Sequence, residues 1–159
     1  MDKGTAAENA RTIIERFDPL SDGLARKSRE LTLDLLKQTS APFSRHQFAP
    51  GHVTCTALVV HPDGVKVLFM YHHRLHRWLL PGGHVEESDA SLPAAAAREA
   101  WEETLVQIDG DWAARLAGID VHGIPAKPTE PFHLHHDLIW CFRALTAEIA
   151  VTDEAPSVL

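Results

Sequence analysis

Glu99, Glu102 and Glu103 stand at positions i, i+3 and i+4, so one helix would direct three carboxylates into the same small volume. Like charges held that close weaken a helix by roughly a few tenths of a kcal/mol per pair, and they drive proton uptake unless a cation compensates. Hard divalent ions such as Mg²⁺ or Mn²⁺ suit this role, because they prefer carboxylate and carbonyl oxygens and bridge to phosphates. The competing reading is a solvated charged face. Two features oppose it: no Lys is interleaved among the three acids, and Ala94 to Ala97 with Ala100 offer a small-residue surface for close packing on a sheet. Upstream, Pro81-Gly82-Gly83 forms a bend where backbone can approach a metal or phosphate without obstruction by side chains. Arg98 can pair with Glu102 at i+4.

Residues 83 to 106 resemble the signature of the Nudix hydrolase family, G-x5-E-x7-R-E-U-x-E-E-x-G-U, where U is a bulky aliphatic residue. Gly83 takes the first place, Asp89 stands where the family has Glu, and Arg98-Glu99 with Glu102-Glu103 fill the centre. Three departures stand out. One extra residue lies between Asp89 and Arg98, Ala100 is small for an aliphatic site, and Leu105 replaces the second Gly. The extra residue is most easily placed at the loop-to-helix junction, around Asp89 to Pro93.

The resemblance implies a metal set of the Gly83 carbonyl with Glu99, Glu102 and Glu103, holding Mg²⁺ or Mn²⁺. It also implies that Arg98 orients a catalytic carboxylate and that one of Glu99, Glu102 and Glu103 accepts the proton of the attacking water. The base stays unassigned among the three. The implied reaction cleaves the phosphoanhydride of a nucleoside diphosphate linked to another moiety, a small-molecule substrate whose charge cations must neutralise. Asp89 is expected to cap or brace the loop at the helix start. The alternative is a non-catalytic nucleotide or sugar-nucleotide binding or sensor domain on the same fold, but such a domain has no chemical need of the Glu cluster. Isomerisation of an isoprenoid diphosphate would need a Cys and a Glu around an alkene, and neither Cys is recognisably placed for it.

Histidine is abundant, 11 residues in all. His133, His135 and His136 beside Asp137 suggest zinc, yet strand alternation sends the first two to one face and His136 to the other, which spoils a compact tetrahedral set. His133 and His135 are instead expected as substrate contacts, with His84 beside Gly83, and with Arg77 and Trp78. Trp78 and Trp140 can stack on a base, although packing is the commoner fate. His72, His73, Arg74, His76 and Arg77 form a basic segment before the glycine bend, suited to phosphate or to a hairpin tip. Phe43, Arg45, His52-Val53-Thr54, the run from Trp78 to His84 and the run from His133 to Asp137 extend the likeness over about residues 43 to 143, to a bacterial Nudix subgroup of undefined substrate.

These residues must be positioned by a chain of 159 residues and 45% hydrophobic content, enough for one adequate core. The formal charge of −7 opposes a broad nucleic-acid footprint while leaving room for a local cationic pocket. No apolar run reaches the ~18 residues of a membrane span and no signal-type block follows Met1, so a cytoplasmic protein is expected. Cys55 and Cys141 lie in apolar runs and are expected as buried free thiols.

Helices are predicted over residues 8–17, 24–38 and 91–104. Strands are predicted over 52–61, 65–71, 78–80, 114–123 and 132–145, with a short piece over 147–151. Pro62-Asp63-Gly64 makes the first two strands a hairpin. The order gives an α/β protein with a mixed sheet, similar to the Nudix-type α/β/α sandwich, in which residues 1–42 form a helical extension packed on a hydrolase domain of 43–159. The sequence is not expected to form the family's usual C-terminal helix before Leu159; either the N-terminal helices cover that face, or a partner does, or the chain is cut short, and an uncovered apolar face would favour association into a homo-oligomer.

Overall fold

The computed structural model describes residues 3–72 and 75–150. Helices α1 (Lys3–Arg16) and α2 (Gly23–Gln38) precede strand β1 (Gly51–Val60) and the short strands β2 (Met70–His72), β3 (Arg77–Leu79) and β4 (Gly82–His84). Helix α3 (Leu92–Thr104) follows, then the long strands β5 (Arg115–Ile124) and β6 (His133–Arg143). One mixed sheet has the order β4-β1-β6-β5, with β1 parallel to β6 and the two outer pairs antiparallel. Strands β2 and β3 form a separate antiparallel ribbon.

Alternation along the two central strands decides what each face does. Val53, Cys55, Ala57 and Val59 of β1 join Leu138, Trp140 and Phe142 of β6 in the core cluster. Ala10 and Ile14 of α1, Leu35 of α2, and Ala95, Ala96 and Ala100 of α3 belong to the same cluster. The opposite face carries His52, Thr54 and Thr56 beside His135, Asp137 and Ile139, which are their register partners. An apolar side thus anchors the helices, and a polar side is left for chemistry.

The N-terminal helices are tied down by more than apolar contact. Asp22 caps α2 by accepting from the N–H groups of Leu24 and Ala25, which satisfies two otherwise unpaired donors. Buried Thr32 donates to the Ser28 carbonyl at 2.8 Å and meets Nδ1 of His136 at 3.1 Å, and the Ser28 hydroxyl accepts the N–H of Val121 at 3.1 Å. The sequence pattern places α1 five residues too late, at 8 rather than Lys3.

The predicted hairpin forms only at its base. His61 N–H reaches the Lys66 carbonyl at 2.9 Å and Leu68 N–H the Val59 carbonyl at 2.9 Å, after which the chain leaves β1 and Met70–His72 pairs with Arg77–Leu79. The physical reason is competition for one edge: β4 occupies it, with Thr54, Cys55 and Thr56 opposite His84, Gly83 and Gly82. No strand forms over 147–150; there the Ala150 N–H donates to the Thr104 carbonyl at 2.9 Å. Val151 and the remaining terminal residues, where a C-terminal helix would follow, lie outside the described residues, as do His73 and Arg74. Cys55 is a buried free thiol, as expected, and Cys141 a half-buried one. Among the described residues no helix is long and apolar enough to cross a membrane.

Candidate active site

Helix α3 is defined sharply at both ends. The Ser91 hydroxyl accepts the Ala94 N–H at 3.3 Å, and Pro93 sits in the first turn, where a missing N–H costs nothing. Ala90 and Ser91 therefore absorb the extra residue before the helix begins. At the other end Leu105 takes the left-handed conformation, φ 53° and ψ 18°, and its N–H returns to the Trp101 carbonyl at 2.8 Å. A leucine here does what glycine usually does.

Ala95, Ala96 and Ala100 are fully buried, and their small side chains let α3 settle closely on β1. Strand β4 then runs beside the acidic end of the helix. The Gly82 N–H donates to Oε2 of Glu103 at 3.0 Å. A Cβ placed on Gly83 would fall 2.6 Å from Cδ of Glu99 and 2.7 Å from both its oxygens, closer than side-chain carbons approach, so this contact requires glycine.

Arg98 is the hub. Its Nε and NH2 donate to the two oxygens of Asp89 at 3.0 and 3.1 Å, NH1 donates to Glu99 and to Glu102 at 2.9 Å each, and NH2 also reaches the His84 carbonyl at 2.9 Å. The hydrogen bond to Asp89 is the largest influence holding the guanidinium charged, well above its ordinary value. Burial pushes Asp89 towards protonation, but the hydrogen bonds from Arg98 and from the Glu86 N–H outweigh it and hold the carboxyl below the usual range.

Asp89, Glu99 and Glu102 thus converge on one guanidinium, and Glu103 lies one helical position further on, against the Gly82 N–H. The helix itself offers these acids no cation, because no basic residue lies in its last turn and its C-terminal dipole is negative. The donors are all oxygens, the set that hard divalent cations prefer. By their chemistry these residues fit a hard divalent cation.

The profile of the NUDIX domain matches residues 50–155. The chain belongs to the Nudix family. By fold it is similar to the NUDIX domain of Shewanella oneidensis NrtR, solved with ADP ribose, at 19% identity over 75% of this chain and 77% of that one, with a TM-score of 0.50. It is also similar to a NUDIX-family hydrolase from Clostridium perfringens, at 22% identity over 73% and 80% with a TM-score of 0.48. For the E. coli dihydroneopterin triphosphate pyrophosphohydrolase the values are 18%, 67%, 77% and 0.47. At 19% identity the likeness to the Shewanella domain speaks for the fold alone. No curated protein matches the sequence.

The Nudix signature residues Gly83, Arg98, Glu99, Glu102 and Glu103 are all brought together. Of the five residues expected on substrate, His84 lines a cleft of about 580 Å³ between residues 40–46 and the Nudix loop 84–88, where Arg45 and His46 also stand. Arg77 and Trp78 are exposed on the β2–β3 ribbon, with Trp78 edge-on to Tyr71 at 5.4 Å, and neither is among the residues lining that cleft. Trp140 is buried in the core. His133 and His135 gather with His84 and with His52, which the sequence reading did not single out as a site residue. Ring centroids lie 5.1 Å apart for His52 and His133, 4.8 Å for His52 and His135, and 5.1 Å for His52 and His84.

Alternation does separate His136 from this group, as expected, but the missing partner comes from the neighbouring strand. Burial lowers the pKa of His52, takes that of His84 to about 4 and that of His135 to about 3, and nearby histidines add to each shift. These three rings are neutral at pH 7. Asp137, whose oxygens accept from Thr54 at 3.1 Å and Thr56 at 2.7 Å, is pushed up by burial despite those bonds.

Proposed function

We propose that this Nudix hydrolase cleaves the phosphoanhydride of a nucleoside diphosphate linked to another moiety, with Mg²⁺ or Mn²⁺ held by Glu99, Glu102, Glu103 and the Gly83 carbonyl. The observation that carries the reading is the convergence of the Glu99, Glu102 and Glu103 carboxylates from one helix end beside the Gly82–Gly83 strand. Bound divalent ions would neutralise phosphate oxygens and lower the pKa of the attacking water. Everything else is work for the side chains.

Arg98 holds Glu99 and Glu102 through one shared NH1 group, so both carboxylates keep fixed orientations before substrate arrives. The Gly82 N–H fixes one oxygen of Glu103. Asp89 does not face the reacting atoms in this scheme; it secures the guanidinium on which the others depend. Any of the three glutamates can accept the water proton. Arg45 and His84 line the cleft where a diphosphate would lie, and Arg45 supplies positive charge to its oxygens. The ADP ribose bound by the Shewanella domain is a ligand of the class meant.

The test is a panel of nucleoside diphosphate derivatives incubated with Mg²⁺ or Mn²⁺, with product analysis, on the wild type beside Glu102→Gln and Glu103→Gln. Each substitution is expected to slow turnover at least ~100-fold, the scale of a well-placed catalytic group. Losses under about tenfold in both variants would overturn the assignment. Raised melting temperatures with no turnover of any compound would favour a binding or sensor domain instead.

A further inference from the structure

A second group of ligand-type side chains lies on the sheet face turned away from the core cluster. One ring nitrogen from each of His52, His133 and His135 lies within 4.8 Å of the other two. The backbone fixes where the rings start, since His52 and His135 are register partners on adjacent parallel strands and His133 precedes His135 by two residues on the same face.

Two of the tautomers are fixed as well. Nδ1 of His52 lies 3.1 Å from the Gln47 carbonyl oxygen, and Nδ1 of His133 lies 2.8 Å from that of Pro131. A carbonyl only accepts, so both Nδ1 atoms carry the proton and both Nε2 atoms present a lone pair. Metal-binding histidines are held in this way, with the second ring nitrogen donating to a backbone carbonyl. Nε2 of His52 is moreover buried with no hydrogen-bond partner among the described residues, in a side chain with 0% exposure. A buried acceptor without a donor is rare in folded proteins, and a cation would complete this one.

The chemistry of the group separates it from the Nudix carboxylates. Three imidazoles with no carboxylate suit zinc, cobalt, nickel or copper, whereas Mg²⁺ and Mn²⁺ prefer oxygen. A tetrahedral zinc site with Zn–N bonds near 2.0–2.1 Å needs nitrogens roughly 3.3 Å apart, so the group must close by at most about 1.5 Å. His135 is half-buried while the other two are buried, so it is the member least enclosed by its surroundings. The ring of His84 borders the group at 5.1 Å from His52 and 5.4 Å from His135.

The geometry points to a binding site for one borderline transition-metal ion of the zinc type, formed by His52, His133 and His135 with its fourth position facing His84. This site is distinct from the carboxylate set of the proposed hydrolysis.

Titrating the full chain with Zn²⁺ in an excess of Mg²⁺ tests it. Equilibrium dialysis should find about one zinc ion retained per chain, and the melting temperature should rise with zinc concentration. His135→Asn should weaken zinc binding at least ~10-fold, while Glu102→Gln should leave it unchanged. Co²⁺ bound to the wild type should give the intense visible bands of tetrahedral coordination, a readout independent of whether any variant folds. No retained zinc, an octahedral cobalt spectrum, zinc binding by a folded His135→Asn equal to wild type, or zinc binding abolished by Glu102→Gln would each overturn the proposal.

Discussion

Arg98 grips both carboxylate oxygens of Asp89, nine residues back along the chain, at 3.0 and 3.1 Å. The pair joins the loop after β4 to the middle of α3, with Asp89 almost wholly buried. Replacing Asp89 by Asn removes the charge from these hydrogen bonds and is expected to cost about 2 kcal/mol at pH 7, read from the urea midpoint. The pH dependence has a definite sign. Asp89 titrates lower in the fold than the ordinary 3.8 of an aspartate, so its contribution is present above that value and is lost as pH falls through the folded one. The gap between wild type and Asp89→Asn should therefore close in acid. A gap as wide near about pH 2 as at pH 7 would show that ionised Asp89 is not its source.

Gly83 owes its identity to the approach of Glu99. Gly83→Ala inserts a methyl group 2.6 Å from Cδ of that carboxylate, which must move by about 1 Å to make room. Misplacement on that scale is expected to reduce kcat roughly 100-fold. The melting temperature should shift little, because the alanine also restricts the unfolded chain. Gly110→Ala is the control, since a Cβ there meets nothing within 4 Å. Equal activity in the two variants would mean that the Glu99 contact does not position the reacting groups.

Leu105 ends α3 with a positive φ of 53° while its side chain is 44% exposed. The left-handed conformation costs a leucine about 1–2 kcal/mol, and glycine returns part of any gain through its freer unfolded chain. Leu105→Gly is expected to stabilise the protein by about 0.5 kcal/mol in denaturant unfolding. Destabilisation by more than about 1 kcal/mol would mean that the leucine side chain carries packing its exposure does not suggest.

The signature was legible because it is local: Glu99, Glu102 and Glu103 need only the helical period to converge, and Gly83 needs only a bend. The junction at Ala90 and Ser91 was legible for the same reason, as it leaves the helical spacing downstream untouched. What escaped depends on pairing between distant segments. His52 meets His133 and His135 only because β1 runs parallel to β6, a choice no residue near His52 announces. The departure of residues 70–72 from β1 is likewise a contest between two segments for one sheet edge, won by Gly82–His84. Arg77 and Trp78 stand on the β2–β3 ribbon, whose pairing with residues 70–72 is likewise not announced by their closeness in sequence to Gly83.

His136 sets an acid limit on the fold through a hydrogen bond whose direction can be deduced. The hydroxyl proton of Thr32 is committed to the Ser28 carbonyl, so Thr32 accepts from Nδ1 of His136, and Nε2 of that ring is left buried and deprotonated. A second proton would have to sit on Nε2 with no acceptor in reach. Burial accordingly takes the pKa of His136 to about 4. Its folded value lies below the ordinary 6.5, so the unfolded chain binds the proton first, and stability is full above about pH 6.5 and falls as pH drops towards 4. One such histidine contributes a slope of at most about 1.4 kcal/mol per pH unit over that window. His136→Asn should be less stable than wild type at pH 7.5 but lose less stability between about pH 6.5 and 4.5, measured by urea unfolding across the series. An identical slope in the two proteins would mean that the proton uptake belongs to other groups.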